Sequence, residues 1–221
     1  MYGVSVTSPT ATRTIVTRSL STSSFVGIYL FLLTAIAAPC AAAFETKLVS
    51  IPDRWAIDYT TSVLWGVGGG ATPLTYTLAP QIISVLCPPS SQRAFAGGTL
   101  ILRARLSLLL EPIVNGPETH FIGTAAAGDL EWRNASGNFA LFFAGGGGFG
   151  WMNSRGYEVK GAQGQDFNLN WLLHAGLRIR TRGAWRLSTG LYFQHISNRG
   201  LDKVNPGLNA LGPSFGLSRK F

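Results

Sequence analysis

What most limits how this chain can fold is a two-residue alternation of apolar and polar side chains, repeated along its length. From Trp55 the odd positions Trp55, Ile57, Tyr59, Val63, Trp65 and Val67 are apolar, with Asp58, Thr60 and Ser62 between them. From Leu100 to Leu110 the even positions are apolar, set against Thr99, Arg103, Arg105, Ser107 and Glu111. Odd positions from Phe167 to Ile179 oppose Asn168, Asn170, His174, Arg178 and Arg180. Segments from Trp185 and from Leu211 repeat the pattern, the second ending in Phe221. Side chains of a strand point alternately to its two faces, so each segment reads as a strand with one apolar and one polar face. Weaker alternation at 75–85, 120–132 and 138–151 raises the count to eight strands of about ten residues or more.

Turn signals separate these strands. They are Gly68-Gly69-Gly70, the run Cys87-Pro88-Pro89-Ser90-Ser91, Asn115-Gly116-Pro117, Asn134-Ala135-Ser136-Gly137, a cluster at 160–165 and Thr181-Arg182-Gly183. Gly145 to Gly148 lack the Lys-Ser/Thr of a phosphate loop, and they read instead as relief of crowding in a strand.

The start of the chain reads differently. Residues 1–24 are rich in Ser and Thr and carry Arg13 and Arg18 without an acid; an apolar run from Phe25 to Ala38 follows, then Ala41-Ala42-Ala43. A basic leader, an apolar core and a small-residue exit describe a secretory signal over residues 1–43. An uncleaved membrane helix is the rival, disfavoured because the run ends in alanines rather than basic anchors. Residues 44–221 then form a single domain of about 178 residues. Losing the two arginines lowers the formal charge from +8 to about +6. Of two cysteines, Cys40 lies in the leader and Cys87 remains, so the mature chain forms no internal disulfide.

No segment after the leader approaches the length of a membrane helix. A closed barrel is the other way to satisfy backbone hydrogen bonds in lipid. A soluble lipocalin-like barrel also alternates, but it would turn the arginine-bearing face into solvent and the apolar face around a core. Burying that polar face in a dry core would cost several kcal/mol per stranded charge. The expected fold is therefore all-β: an eight-stranded antiparallel transmembrane β-barrel of the outer-membrane type, with its apolar face to lipid and a small wet lumen. Trp55, Trp65, Trp171, Trp185 and Tyr59 are expected in aromatic girdles. Arg103, Arg105, Arg178, Arg180 and Arg186 share inward parity, which favours a lumen network over nucleic-acid binding, and His174 is expected to hydrogen-bond within the lumen.

The chemistry concentrates in Phe193-Gln194-His195-Ile196-Ser197-Asn198-Arg199-Gly200 and in Asn205-Pro206-Gly207-Leu208-Asn209. On an extended strand His195 and Ser197 share a face with Trp185, Leu187, Leu191 and Phe193. A base beside a hydroxyl can activate a serine nucleophile, here at the end of an apolar stripe where an ester in lipid could reach it. A His and a Ser two apart recur by chance on strands, and Asn205-Pro206-Gly207 alone is simply a turn. No His/Cys/Asp/Glu cluster has metal-ligand spacing.

Together these residues resemble the signature of the PagL-type lipid A 3-O-deacylases, outer-membrane acyloxyacyl hydrolases with a lipid-facing site. The resemblance implies Ser197 as nucleophile, His195 as general base, and Asn198 with the backbone N–H of Gly200 at the oxyanion positions. It also implies no cofactor, lipid A of lipopolysaccharide as substrate and the bacterial outer membrane as location; neither monomer nor homodimer is favoured. Where the family has a carboxylate as third member of the triad, this chain has Asn209. An Asn can orient an imidazole but cannot stabilise an imidazolium by charge, and Asp202 is the nearby acid that could substitute. The alternative of a different class is a non-catalytic small barrel that anchors or stabilises the envelope.

Overall fold

A computed structural model describes residues 54–68 and 74–221. The expected leader over 1–43, and Gly69 and Gly70 of the first turn, lie outside the described residues. Within them the chain forms β1 (Ala56–Ser62), β2 (Leu64–Gly66), β3 (Thr77–Leu78), β4 (Gln81–Leu86), β5 (Ser91–Phe95), β6 (Gly98–Asn115), β7 (His120–Asn134), β8 (Phe139–Met152), β9 (Phe167–Arg180), β10 (Trp185–Ser197) and β11 (Leu208–Lys220). β1 with β2 make one stave, and β3, β4 and β5 make another. Each of the remaining six strands is a stave of its own, giving eight. All pairings are antiparallel, and β1 closes the barrel on β11 from Ala56↔Lys220 to Ser62↔Ser214. The eight strands read from alternation are all present, and closure leaves no open edge in lipid.

The run Cys87–Ser91 is not the turn it was expected to be. The N–H groups of Cys87 and Ser90 donate to the carbonyls of Ala104 and Leu102, so the stave continues past the prolines into β5. Prolines lack an N–H and interrupt a ladder locally without reversing it. The reversal comes at Ala96 and Gly97, both at positive φ (47° and 71°), the two-residue geometry that suits the twist of a hairpin.

The outer face is apolar, with Leu106 54% and Leu191 59% exposed. Trp55 and Trp185 mark one edge of this band, and Trp65, Trp151 and Trp171 the other. Three short turns, at 96–97, 135–138 and 181–184, close the first end; longer loops at 153–166 and 198–207, with the short turn 116–119, lie at the second. In outer-membrane barrels short turns face the periplasm and long loops the exterior, which orients the molecule.

Side chains fill much of the lumen, because eight staves enclose little more than their own side chains. Its periplasmic half holds an ionic network. Arg178 forks onto Asp129 with bonds of 2.6 and 2.9 Å and reaches Glu131 at 2.9 Å. Arg105 pairs with Asp58 at 2.7 Å, and Glu131 also receives Arg133 and Arg186. Arg103 joins at 3.9 Å, whereas Arg180 stays exposed at the mouth, outside this network. His174 meets Ser214 at 2.8 Å, as expected of a lumen histidine. Toward the exterior Leu64, Leu78, Leu109, Phe121, Ile196 and Leu208 form one buried cluster, with Glu111, Glu118 and Gln194 buried at the same end. The glycines of β8 sit where neighbouring backbones close in: a Cβ on Gly146 would strike the carbonyl oxygen of Ala126, and one on Gly148 that of Thr124.

Candidate active site

β10 carries Gln194 and Ile196 inward, with Asn198 just past its end, all fully buried, and sends Phe193, His195 and Ser197 outward. The outward set lies at the exterior end of the strand, beyond the apolar cluster that fills the lumen behind it. Register then decides the neighbours. His195 stands opposite Asn209 on β11 and opposite Trp171 on β9, so three strands contribute one row across the barrel wall.

Within that row the hydrogen bonds run in single file. The carboxamide oxygen of Asn209 lies 2.7 Å from His195 Nδ1, and His195 Nε2 lies 2.9 Å from Ser197 Oγ. With the Asn209 oxygen as acceptor, Nδ1 carries the ring proton and Nε2 is left to accept the Ser197 hydroxyl. This is the tautomer a general base requires. The Trp171 ring packs on the imidazole, centroids 5.7 Å apart and tilted by 32°. Trp171 was read only as a girdle residue; its role beside His195 depends on strand register, which alternation does not reveal.

Asp202 is not at the imidazole. It accepts from the backbone N–H of Val204 at 2.7 Å and from the Tyr157 hydroxyl at 2.9 and 3.0 Å. That hydrogen bond holds the Tyr157 hydroxyl above its usual pKa and ties loop 153–166 to loop 198–207. Gly164 N–H adds a bond to the Val204 carbonyl at 3.1 Å. Of the two residues considered for the third triad position, Asn209 is the one bonded to His195.

After Ser197 the chain reverses through Asn198-Arg199-Gly200-Leu201, closed by the Leu201 N–H to Asn198 carbonyl bond at 3.0 Å. Arg199 and Gly200 both have positive φ, 55° and 81°, so glycine suits the second position, and Arg199 bears strain of about 1 kcal/mol. Asn198 locks this turn from inside. Its Oδ1 accepts from Gly200 N–H at 2.9 Å and its Nδ2 donates to Val204 O at 2.9 Å. Its own N–H donates to Asn205 Oδ1 at 3.0 Å. The Gly200 N–H expected at an oxyanion position lies three residues beyond Ser197 and the Asn198 backbone N–H one residue beyond it, both already bonded to amide oxygens. The Asn198 side chain points into the lumen side of the loop rather than toward Ser197, because it has the opposite parity. Asn205 was read as part of a turn, and its contact with the peptide that follows Ser197 had no signal in the spacing.

Fold and site together define a small outer-membrane β-barrel with a Ser–His–Asn array on its lipid-facing wall at the exterior rim. The model of the family described as lipid A 3-O-deacylase (PagL) matches residues 91–218, more than half of the chain. The chain belongs to that family. Among solved structures it is similar to one described as the outer membrane enzyme PagL. The two share 19% identity over 72% of this chain and 97% of that one, with a TM-score of 0.53, a likeness of fold. Neisserial surface protein A aligns at 11% identity over 76% of this chain and 97% of its own, with a TM-score of 0.48. No curated protein shows a significant sequence match.

Proposed function

We propose that this barrel is a serine esterase that removes the 3-O-linked acyl chain of lipid A, made with a leader over 1–43 that is cleaved to leave residues 44–221. The observation that carries this reading is the hydrogen-bonded file Asn209–His195–Ser197 facing lipid at the exterior rim, in a chain of the lipid A 3-O-deacylase family. Lipid A occupies the outer leaflet, so its acyl esters meet the wall at this height.

Ser197 Oγ attacks the ester carbonyl carbon while its proton passes to His195 Nε2. The tetrahedral oxyanion collapses, and the departing sugar oxygen takes the proton from Nε2. The acyl chain stays on Ser197 until water, deprotonated by the same nitrogen, attacks its carbonyl; the fatty acid leaves as Ser197 Oγ takes the proton back from Nε2. Asn209 holds the Nδ1–H tautomer throughout but adds no negative charge to offset the imidazolium. The backbone N–H groups of Asn198 and Gly200 are the proposed oxyanion donors. Taking them requires the substrate oxygen to displace the amide oxygens of Asn205 and Asn198. A donor to a developing oxyanion is worth about 3 kcal/mol, more than the roughly 1 kcal/mol net of the loop bond it replaces.

The test is expression in a bacterium with unmodified lipid A, followed by lipid A mass spectrometry. Wild type should remove one hydroxyacyl chain and Ser197→Ala none. Unchanged lipid A in both would leave the non-catalytic anchoring barrel as the better account, and equal loss in both would overturn Ser197 as the nucleophile.

A further inference from the structure

The opposite end of the molecule carries a feature that deacylation does not use. The periplasmic mouth opens on a cavity of about 460 Å³ whose wall includes Arg54, Arg133, Arg180, Arg186 and Lys220. These residues come from β7, β9, β10, β11 and the segment entering β1, and each has the parity that points into the barrel on its stave. The mouth is thus ringed by four arginines and Lys220. Two members of the ring, Arg133 and Arg186, pair with Glu131, which is already shared with Arg103 and Arg178. Among the described residues Arg54, Arg180 and Lys220 form no ion pair. The excess positive charge faces a partly enclosed space beside low-dielectric walls, where Coulombic terms are several-fold larger than in water. Rings of Arg and Lys at a barrel mouth select anions, and guanidinium forks match phosphate oxygens two at a time.

We propose that this cavity is a binding site for a phosphate-bearing anion, separate from the rim site and independent of its activity. Two sources share that chemistry: a soluble phosphate of the periplasm, and the head group of an anionic phospholipid in the inner leaflet. Trp185 lines the cavity and is exposed at the periplasmic edge of the apolar band, which puts the cavity beside that leaflet's interface.

The experiment uses the full mature barrel in a zwitterionic detergent, titrated calorimetrically with inorganic pyrophosphate and, separately, with short-chain phosphatidylglycerol and phosphatidylcholine. Wild type should bind at least one of the anionic probes saturably at one per barrel, and phosphatidylcholine should not bind. The triple variant Arg54→Gln, Arg180→Gln, Lys220→Gln removes the cations outside the ionic network, and it should weaken binding at least tenfold while lipid A deacylation is unchanged. Pyrophosphate binding assigns the site to soluble phosphates; binding of phosphatidylglycerol alone assigns it to the head group. Arg180→Gln by itself should weaken binding at least threefold, which keeps the test available should the triple variant fold poorly. Absence of saturable binding of both anionic probes to wild type, or equal binding by wild type and variants, would overturn the proposal.

Discussion

The barrel holds two polar constellations built on opposite rules. In the periplasmic half of the lumen, Arg178, Asp129 and Glu131 are buried, charged and bound several times over. At the exterior rim, Asn209, His195 and Ser197 form one file of two bonds, half-buried on the outer wall, ending at a hydroxyl next to lipid. The lumen set must be saturated, since a buried charge that loses its partner costs several kcal/mol. A site meant for chemistry needs the reverse, an acceptor held in place and a nucleophile left accessible. Multiplicity of bonds therefore separates what holds the wall together from what is proposed to act on its outside.

This contrast can be broken most sharply at Ser197. Ser197→Ala should lower deacylation by at least about 10⁴-fold, roughly 5.5 kcal/mol of barrier, because members of a catalytic unit fail together. The same variant should leave the urea midpoint of the barrel within about 0.5 kcal/mol of wild type, as expected of a change outside any packed network. Arg178→Ala should do the opposite. Leaving buried Asp129 with only the 3.8 Å contact to Arg105 should destabilise the barrel by about 3–5 kcal/mol, read from urea unfolding in detergent. The fraction that still folds should keep near-wild-type specific activity.

Asn209→Asp tests the weakest member of the rim file. A carboxylate in register with His195 should keep the tautomer and stabilise the imidazolium, raising the deacylation rate about tenfold, or 1.4 kcal/mol. A fall in rate would mean that the neutral amide is the better partner in this low-dielectric setting. The smallest expected effect is at Gly200, whose φ is 81°. Gly200→Ala should cost about 1 kcal/mol in stability, seen as a small shift of the urea midpoint.

Much of the fold was legible in the sequence because a wall with lipid on one side and a packed lumen on the other writes itself as period-two alternation. His195 and Ser197 could be put on one outward face for the same reason. Alternation is silent, however, about what lies across the strand. That Asn209 and Trp171 flank His195 depends on register, set by turns at 181–184 and 198–207 that are closed by backbone bonds. The Pro88-Pro89 pair misled because a missing N–H interrupts a ladder without reversing the chain. Arg180 has inward parity yet sits at the mouth, where depth rather than period decides whether an acid is in reach. The inward Asn198 lock depends on two consecutive left-handed residues, of which Gly200 alone advertised its conformation.

The central claim is that Ser197, on the lipid-facing wall, is a nucleophile activated by His195. A lipophilic fluorophosphonate reacts only with an activated serine, and peptide mass spectrometry of the labelled barrel reads where it has gone. The account predicts a single adduct on Ser197 in wild type, lost when His195 is replaced by Ala. An adduct on another residue, or labelling of Ser197 that persists without His195, would contradict it.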